Sequence, residues 1–341
     1  MNLAAAIRER DVAQLPGKRD EDWRWTDLRG LIRVLPDASP PFEGEVTEGP
    51  FDGLTKERHW ILNGRTPQHI EVGPGQERVA SLRLVSRGAG SHAGDVVVRV
   101  AEGGRLVLLE SYESDGGSVA QTSLTIAVAK GGSVERVVLA ADHEDAVSVS
   151  QADVELAPEA RFAQTVLTSG ARRQRTETTV RHPGGHAELR LDGVYLLAGK
   201  RHADITTVVA HAGLDGRTGQ LTKGVVRDQA RGVFQGRIVV SEGADRTDAR
   251  MGHHALILSD RAEVDAKPEL EIYADDVSCA HGNTVGALDE DALFYARQRG
   301  IPEAEARAML TEAFIGEVVD RIEHQGARDA VRRWAAERLR G

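Results

Sequence analysis

The chain has 341 residues, of which 40% are hydrophobic and only 4% aromatic, and its 43 Lys and Arg against 53 Asp and Glu give a formal charge of −10. That length can bury a sizeable core, as one elongated domain or two compact ones. The acidic balance argues against a broad nucleic-acid-binding face, the single cysteine excludes an internal disulfide and fits a reducing compartment, and no apolar run is long enough to span a bilayer.

In chain order, the first apolar run, Leu3 to Ile7, is far too short for the core of a signal peptide, and no basic residue precedes it. We therefore expect the cytoplasm. Residues up to about Leu35 read as a mixed helical segment anchored by Trp23 and Trp25, and residues 36–53, rich in Pro, Gly and acids, read as a linker. Residues 1–53 form the first predicted region.

Residues 96–273 contain no convincing helix. Short runs of period two, such as Leu124-Ile126-Val128, Val147-Val149, Val154-Leu156 and Leu189-Leu191, alternate with small-residue turns at Gly103-Gly104, Gly116-Gly117, Gly131-Gly132 and Gly184-Gly185. Val100 to Leu106, Val128 to Val134 and Leu156 to Phe162 resemble one another at a step of 28 residues. A fixed step of strands and turns is the mark of a solenoid or a propeller, and propeller blades are longer. The expected fold is mainly β: a right-handed parallel β-helix over residues 54–286, its narrow core stacked from Val, Leu, Ile and Ala.

Residues 287–341 read as a small helical domain. Asp289 can cap a helix that runs to Arg299 and stops at Gly300. Pro302 suits the first turn of the next helix, whose apolar stripe is Ala306, Leu310, Phe314 and Val318. Gly326 is expected to break it before a last helix bearing Val331, Trp334, Ala335 and Leu339.

The chemistry concentrates in residues 270–301. Cys279 and His281 sit at i and i+2 on an extended segment, so they share one face. Both suit iron, zinc or copper. Two ligands do not close a site, so a metal or cluster held here needs ligands from another subunit. His253-His254 cannot readily share an ion, because neighbours on a strand face opposite ways; both read as surface or ladder histidines. His202 and His211 bracket a strand-like run and read as structural or solvated. The sequence contains no phosphate-binding loop, dinucleotide fingerprint, zinc-protease motif or nucleophile elbow.

The run from Asp275 to Gly282, followed by Phe294-Tyr295 and Arg299-Gly300-Ile301, resembles the C-terminal signature of the SufB/SufD family, scaffold subunits of the SUF iron–sulfur cluster assembly machine. The resemblance extends through Gly199 to Asp204, Val233 to Gly236, Lys267 to Ile272 and the N-terminal Arg19 to Leu28. It implies the β-helix independently of the repeat. Gly282 replaces the glutamate of the B-type run His-Glu-Ala-Thr, and no cysteine lies along the β-helix before Cys279, so the resemblance is to the D type.

A SufD-like subunit, as the resemblance has it, is a non-catalytic scaffold. It pairs with a SufB-type subunit, binds a SufC-type ABC ATPase through its C-terminal helices, and also admits a homodimer. The residues implied are Cys279 and His281 for a transient cluster at the subunit interface, with none stably bound by the isolated chain, and Phe294, Tyr295, Arg299, Met309, Leu310 and Phe314 for the partner. Two other readings are a β-helix that binds or cleaves polysaccharide, disfavoured by the few aromatics, and a cupin-like metal enzyme, for which no compact histidine and glutamate cluster is found.

Overall fold

The computed structural model describes residues 3–340, with the backbone alone of Arg340. Seventeen strands stack along one axis. The odd-numbered ones form a nine-stranded sheet in the order β1 (Glu57–Leu62), β3 (Glu77–Ser86), β5 (Arg105–Ser114), β7 (Ser133–Ala141), β9 (Arg161–Thr168), β11 (Glu188–Leu197), β13 (Arg217–Val226), β15 (Asp248–Ile257) and β17 (Ser278–Gly286). The even-numbered ones form a facing sheet of eight: β2 (Gln68–Val72), β4 (Ser91–Val100), β6 (Val119–Val128), β8 (Val147–Leu156), β10 (Arg173–His182), β12 (His202–His211), β14 (Arg231–Val240) and β16 (Glu263–Ile272). Every strand pairs in parallel with the strand two places away in sequence, which is the pattern of a β-solenoid.

The 28-residue step is the coil itself: Val100 lies beside Val128, and Val128 beside Leu156. The coils then lengthen. His182 pairs with His211, 29 residues on, and Val226 with Ile257, 31 on, which is why the repeat fades from the sequence. The turns need glycine where coils abut. Gly103 and Gly131 hold φ of +65° and +63°. A Cβ on Gly104 or Gly132 would sit 3.0 Å from the carbonyl of Ala101 or Ala129.

Inside, apolar side chains stack coil on coil from Ile61 to Ala262. The interior also holds a charge pair. Arg136 and Glu110, both wholly buried, are joined by two hydrogen bonds of 2.6 and 2.7 Å. The remaining Arg136 nitrogen reaches Gln164 Oε1, and Gln164 in turn reaches Thr178. Each polar atom is answered by the next coil, as burial requires.

Both outer faces are partly covered, so strands such as β5 and β12 are buried in long runs rather than alternately. Helix α1 (Leu3–Glu9), the short α2 (Leu28–Leu31) and the chain around them lie on the even sheet, where Leu3, Ile7, Leu15 and Trp23 meet Val119, Val147 and Val149. The Val147-Val149 alternation thus marks an outward face. Trp23 anchors the segment to the solenoid rather than to a domain of its own: its ring covers the Arg175 guanidinium at 4.3 Å. Arg175 is held by Asp204 and Glu177, Thr26 donates to Asp204, and His202 donates to the Trp25 carbonyl.

On the odd sheet lie α4 (Glu303–Val319) and α5 (Gln325–Arg340), with α3 (Glu290–Gln298) packed against α4. Asp289 caps α3 through the amides of Asp291 and Ala292, and Gly300, at φ +83°, ends the turn after it. Pro302 stands one place earlier than expected, at the cap of α4. The buried face of α4 is Ala306, Thr311, Ile315, Val318 and Val319, since a helix of 3.6 residues per turn drifts off a strict four-residue step. Leu310 and Phe314 are left half-buried at its edge. Gly326 lies inside the first turn of α5, tight against Leu54, and the break falls before it. Ile315, Val318, Ile322, Val331 and Trp334 close on Leu109, Val137, Leu139, Leu167 and Val194 of the sheet. The α4–α5 turn is pinned by two sheet carboxylates: Glu135 accepts the amides of Glu323 and His324, and Asp192 meets Arg321 at 3.1 Å. Burial pushes the Asp192 carboxyl up to about 6 against the pull of Arg321 and Arg190.

Glu110→Ala, which strands the Arg136 charge in the interior, is expected to cost about 3–5 kcal/mol. The double variant Glu110→Leu/Arg136→Met is expected to recover most of that loss, and urea unfolding of the two side by side checks it.

Candidate functional site

The last coil is the open end of the solenoid. β16 and β17 each pair on one side only, and nearly every residue of β17 is exposed. Ile272, Tyr273 and Val285 stand uncovered here, at 41%, 65% and 44% exposure. Unpaired edge backbone beside exposed apolar side chains is the pattern of a surface that another strand covers.

Cys279 and His281 both lie on this coil. In register, Cys279 sits over the buried Ala249 and His281 over the buried Met251. Cys279 packs partly against the core, and His281, two residues on, shares its face at the exposed rim. The two positions are roughly 6.5 Å apart by strand rise. Burial holds the Cys279 thiol above its usual value, with nearby Asp248 adding to the effect and a hydrogen bond with the Ala249 backbone opposing it. The thiol is therefore protonated at neutral pH, and a metal must displace that proton to bind. Among the described residues, no group of three or more His, Cys, Asp or Glu could hold a metal ion.

His253 differs from the surface reading. It is fully buried one coil beneath the rim, stacked on Phe234 at 4.8 Å. Tyr195 OH lies 2.9 Å from its Nε2, and its Nδ1 lies 2.7 Å from Asn283 Oδ1. Since the amide oxygen can only accept, Nδ1 carries the proton and Nε2 accepts from Tyr195. The line Tyr195–His253–Asn283 thus ties the interior to the residue two places beyond His281. The alternation of the strand was the signal for it: one of two neighbouring histidines must face inward. Gly224 and Gly232 leave room for the Tyr195 ring, which a Cβ on either would strike. His254 points outward to Thr284.

Other buried histidines are held within the fold. His182 and His211 stack at 4.3 Å, with His211 Nε2 on Thr218, and His202 is buried beneath Trp25. Burial lowers His92, His182, His202 and His253 to about 4 and His211 to about 3.

The residues expected to meet a partner divide. Phe294, Tyr295 and Met309 are half or more exposed, on α3 and the adjoining turn of α4. The Arg299 guanidinium lies over the Tyr295 ring at 4.7 Å. Leu310 is half-buried, and Phe314 packs toward the sheet, where Lys223 of β13 covers its ring at 4.4 Å. A groove of about 1010 Å³ crosses the odd sheet, but it is lined by alternating Arg and Glu, and its one aromatic, Phe162, is buried inward. It has no platform for stacking a sugar. No described helix is long and apolar enough to cross a membrane.

The structure is thus a parallel solenoid that ends in an uncapped coil with a thiol and an imidazole on its inner rim and carries helices on both outer faces. Residues 83–314 match the family described as SUF system FeS cluster assembly, SufBD core domain. The chain belongs to the SufB/SufD family. It is similar to the iron–sulfur cluster assembly protein SufD of Escherichia coli, at 30% identity over 96% of this chain and 90% of that protein. It is also similar to an iron–sulfur cluster assembly SufBD family protein of Synechocystis, at 32% over 53% of this chain and 40% of that one, and to SufD of Bacillus subtilis, at 33% over 38% and 30%. These likenesses bear out the D-type reading.

The buried histidines set an acid limit. Their unfolded forms take up protons below about 6.5 while the folded forms resist until about 4, so their contribution is complete above 6.5 and is lost as pH falls toward 4. Each is worth on the order of 3 kcal/mol. The stability advantage of the unmodified chain over His253→Gln is expected to shrink across that window, as read by denaturant unfolding at a series of pH values.

Proposed function

We propose that this chain, a member of a SUF iron–sulfur cluster assembly family, is a non-catalytic scaffold subunit of a cytoplasmic assembly complex. It pairs with a SufB-type subunit across the open end of the solenoid and binds a SufC-type ABC ATPase through α3 and α4. The observation that carries the reading is the placing of Cys279 and His281 on the inner rim of the last coil, whose strand edges and apolar side chains Ile272, Tyr273 and Val285 are left uncovered. A nascent cluster is cargo here: clusters generally take four protein ligands, and this rim offers two, so the partner subunit completes the set and the isolated chain keeps no stable cluster. His281 is the exposed donor. Cys279, half-buried and protonated, is the lesser one. A homodimer through the same end is the competing arrangement, favoured by the same exposed edge.

Co-expression with B-type and ATPase subunits tests the reading, with all three expected to co-purify. In that complex His281→Ala is expected to lower iron and sulfide per complex while leaving the subunits together, because one rim side chain adds little to a large interface. Cys279→Ser is expected to lower them less. Unmodified cluster content in His281→Ala would reduce this end to a dimer contact.

The docking face is tested with Tyr295→Ala/Met309→Ala. Both side chains are exposed, so the fold is expected to stand while ATPase binding weakens by about tenfold or more. Phe314→Ala is the poorer test, because Phe314 also packs on the sheet through Lys223.

A further inference from the structure

A second cleft lies where the C-terminal helices meet the turns of the solenoid, away from the open rim. Its volume is about 340 Å³, and Arg201, Arg227, Arg307 and Arg338 line it from four different elements. Its walls are apolar: Leu196, Leu197, Val225, Leu258 and Leu339. No Asp or Glu is among the lining residues, in a chain whose formal charge is −10.

Two of the four guanidiniums, Arg201 and Arg338, are held by neutral groups. Arg201 donates to the carbonyls of Asp142 and Gly170, at 2.9 and 2.8 Å. Arg338 lies on the Trp334 ring at 4.0 Å and donates to the Trp334 carbonyl. Arg227 makes no side-chain hydrogen bond or ion pair with any described residue. Only Arg307 has a carboxylate partner, Glu303 one turn back on the rim. Asp142, outside the lining, accepts from Gln174 and Ser114 and also feels the Arg201 charge, so Arg201 is offset in part. Burial and the neighbouring Arg201 charge both lower the Arg338 guanidinium, although Glu337 opposes them. Converging cations in a half-buried apolar cleft repel one another unless an anion sits between them. Planar guanidiniums suit a phosphate, which accepts two parallel hydrogen bonds from each.

We propose that this cleft is a binding site for a phosphorylated small molecule no larger than a mononucleotide, its phosphate or diphosphate held by Arg201, Arg227 and Arg338 and its apolar body laid on Leu196, Val225 and Leu258. The site lies between α4, α5 and the sheet, so an occupant bridges the helical flank to the solenoid.

Calorimetric titration of the full chain with pyrophosphate, inorganic phosphate, AMP and adenosine tests this without reference to complex assembly. One-to-one binding of pyrophosphate and AMP is expected, with AMP tighter than phosphate and adenosine silent. Arg227→Ala, which breaks no side-chain hydrogen bond or ion pair in the free chain, is expected to leave the unliganded melting temperature nearly unchanged and to weaken AMP binding by on the order of tenfold or more. No saturable binding in the millimolar range would overturn the proposal. So would equal binding by Arg227→Ala, or sulfate binding as well as AMP, which would make the cleft a sink for any anion.

Discussion

The structure depends on the parallel ladder that joins each strand to the strand two places away. In that arrangement backbone donors and acceptors are satisfied along the axis, coil by coil, and are left open only at the first and last coils. A solenoid therefore cannot hide its ends as a closed barrel does. Everything distinctive about the β16–β17 end follows from that: the exposed strand, the uncovered Ile272, Tyr273 and Val285, and the half-covered Cys279. A site at such an end can be completed from outside, whereas a site in the middle of the stack cannot.

The same stacking governs the polar interior. A side chain inside the solenoid has neighbours on its own coil and on the two adjoining ones, so a buried polar atom must find its partner there. Glu110, Arg136, Gln164 and Thr178 make one such run, and Tyr195, His253 and Asn283 make another. The second run reaches the rim. Room for it comes from absent side chains, since Gly224 and Gly232 leave the space that the Tyr195 ring fills. The rim is thus braced from within, although its last residues are open to solvent.

The outer faces follow a different rule. A sheet face rich in Val and Leu must be covered, and the two ends of the chain do this, the N-terminal segment on the even sheet and α4 and α5 on the odd one. Helices used in this way cannot turn the same face outward. That is why Phe314 is drawn toward the sheet while Phe294, Tyr295 and Met309 remain exposed on α3 and α4. It also creates the arginine-lined cleft, where helix and turn residues far apart in sequence are brought together.

The amino-acid sequence by itself determined the solenoid, because each coil repeats the same local problem: an alternating strand, a glycine turn, and a step of 28 residues that matches the real coil at Val100, Val128 and Leu156. It also placed Cys279 and His281 on one face, since strand alternation is a local property. The family signature carried the remaining functional reading. Only the tertiary structure decided which alternating faces are interior, because Val147-Val149 and Leu124-Ile126 look alike until the N-terminal segment covers the first pair. It likewise decided that His253 is a core residue, that α4 buries Thr311 and Ile315 rather than Leu310 and Phe314, and that four arginines from separate elements share one cleft. Those outcomes rest on contacts between residues dozens to hundreds of positions apart, which neither local periodicity nor spacing encodes.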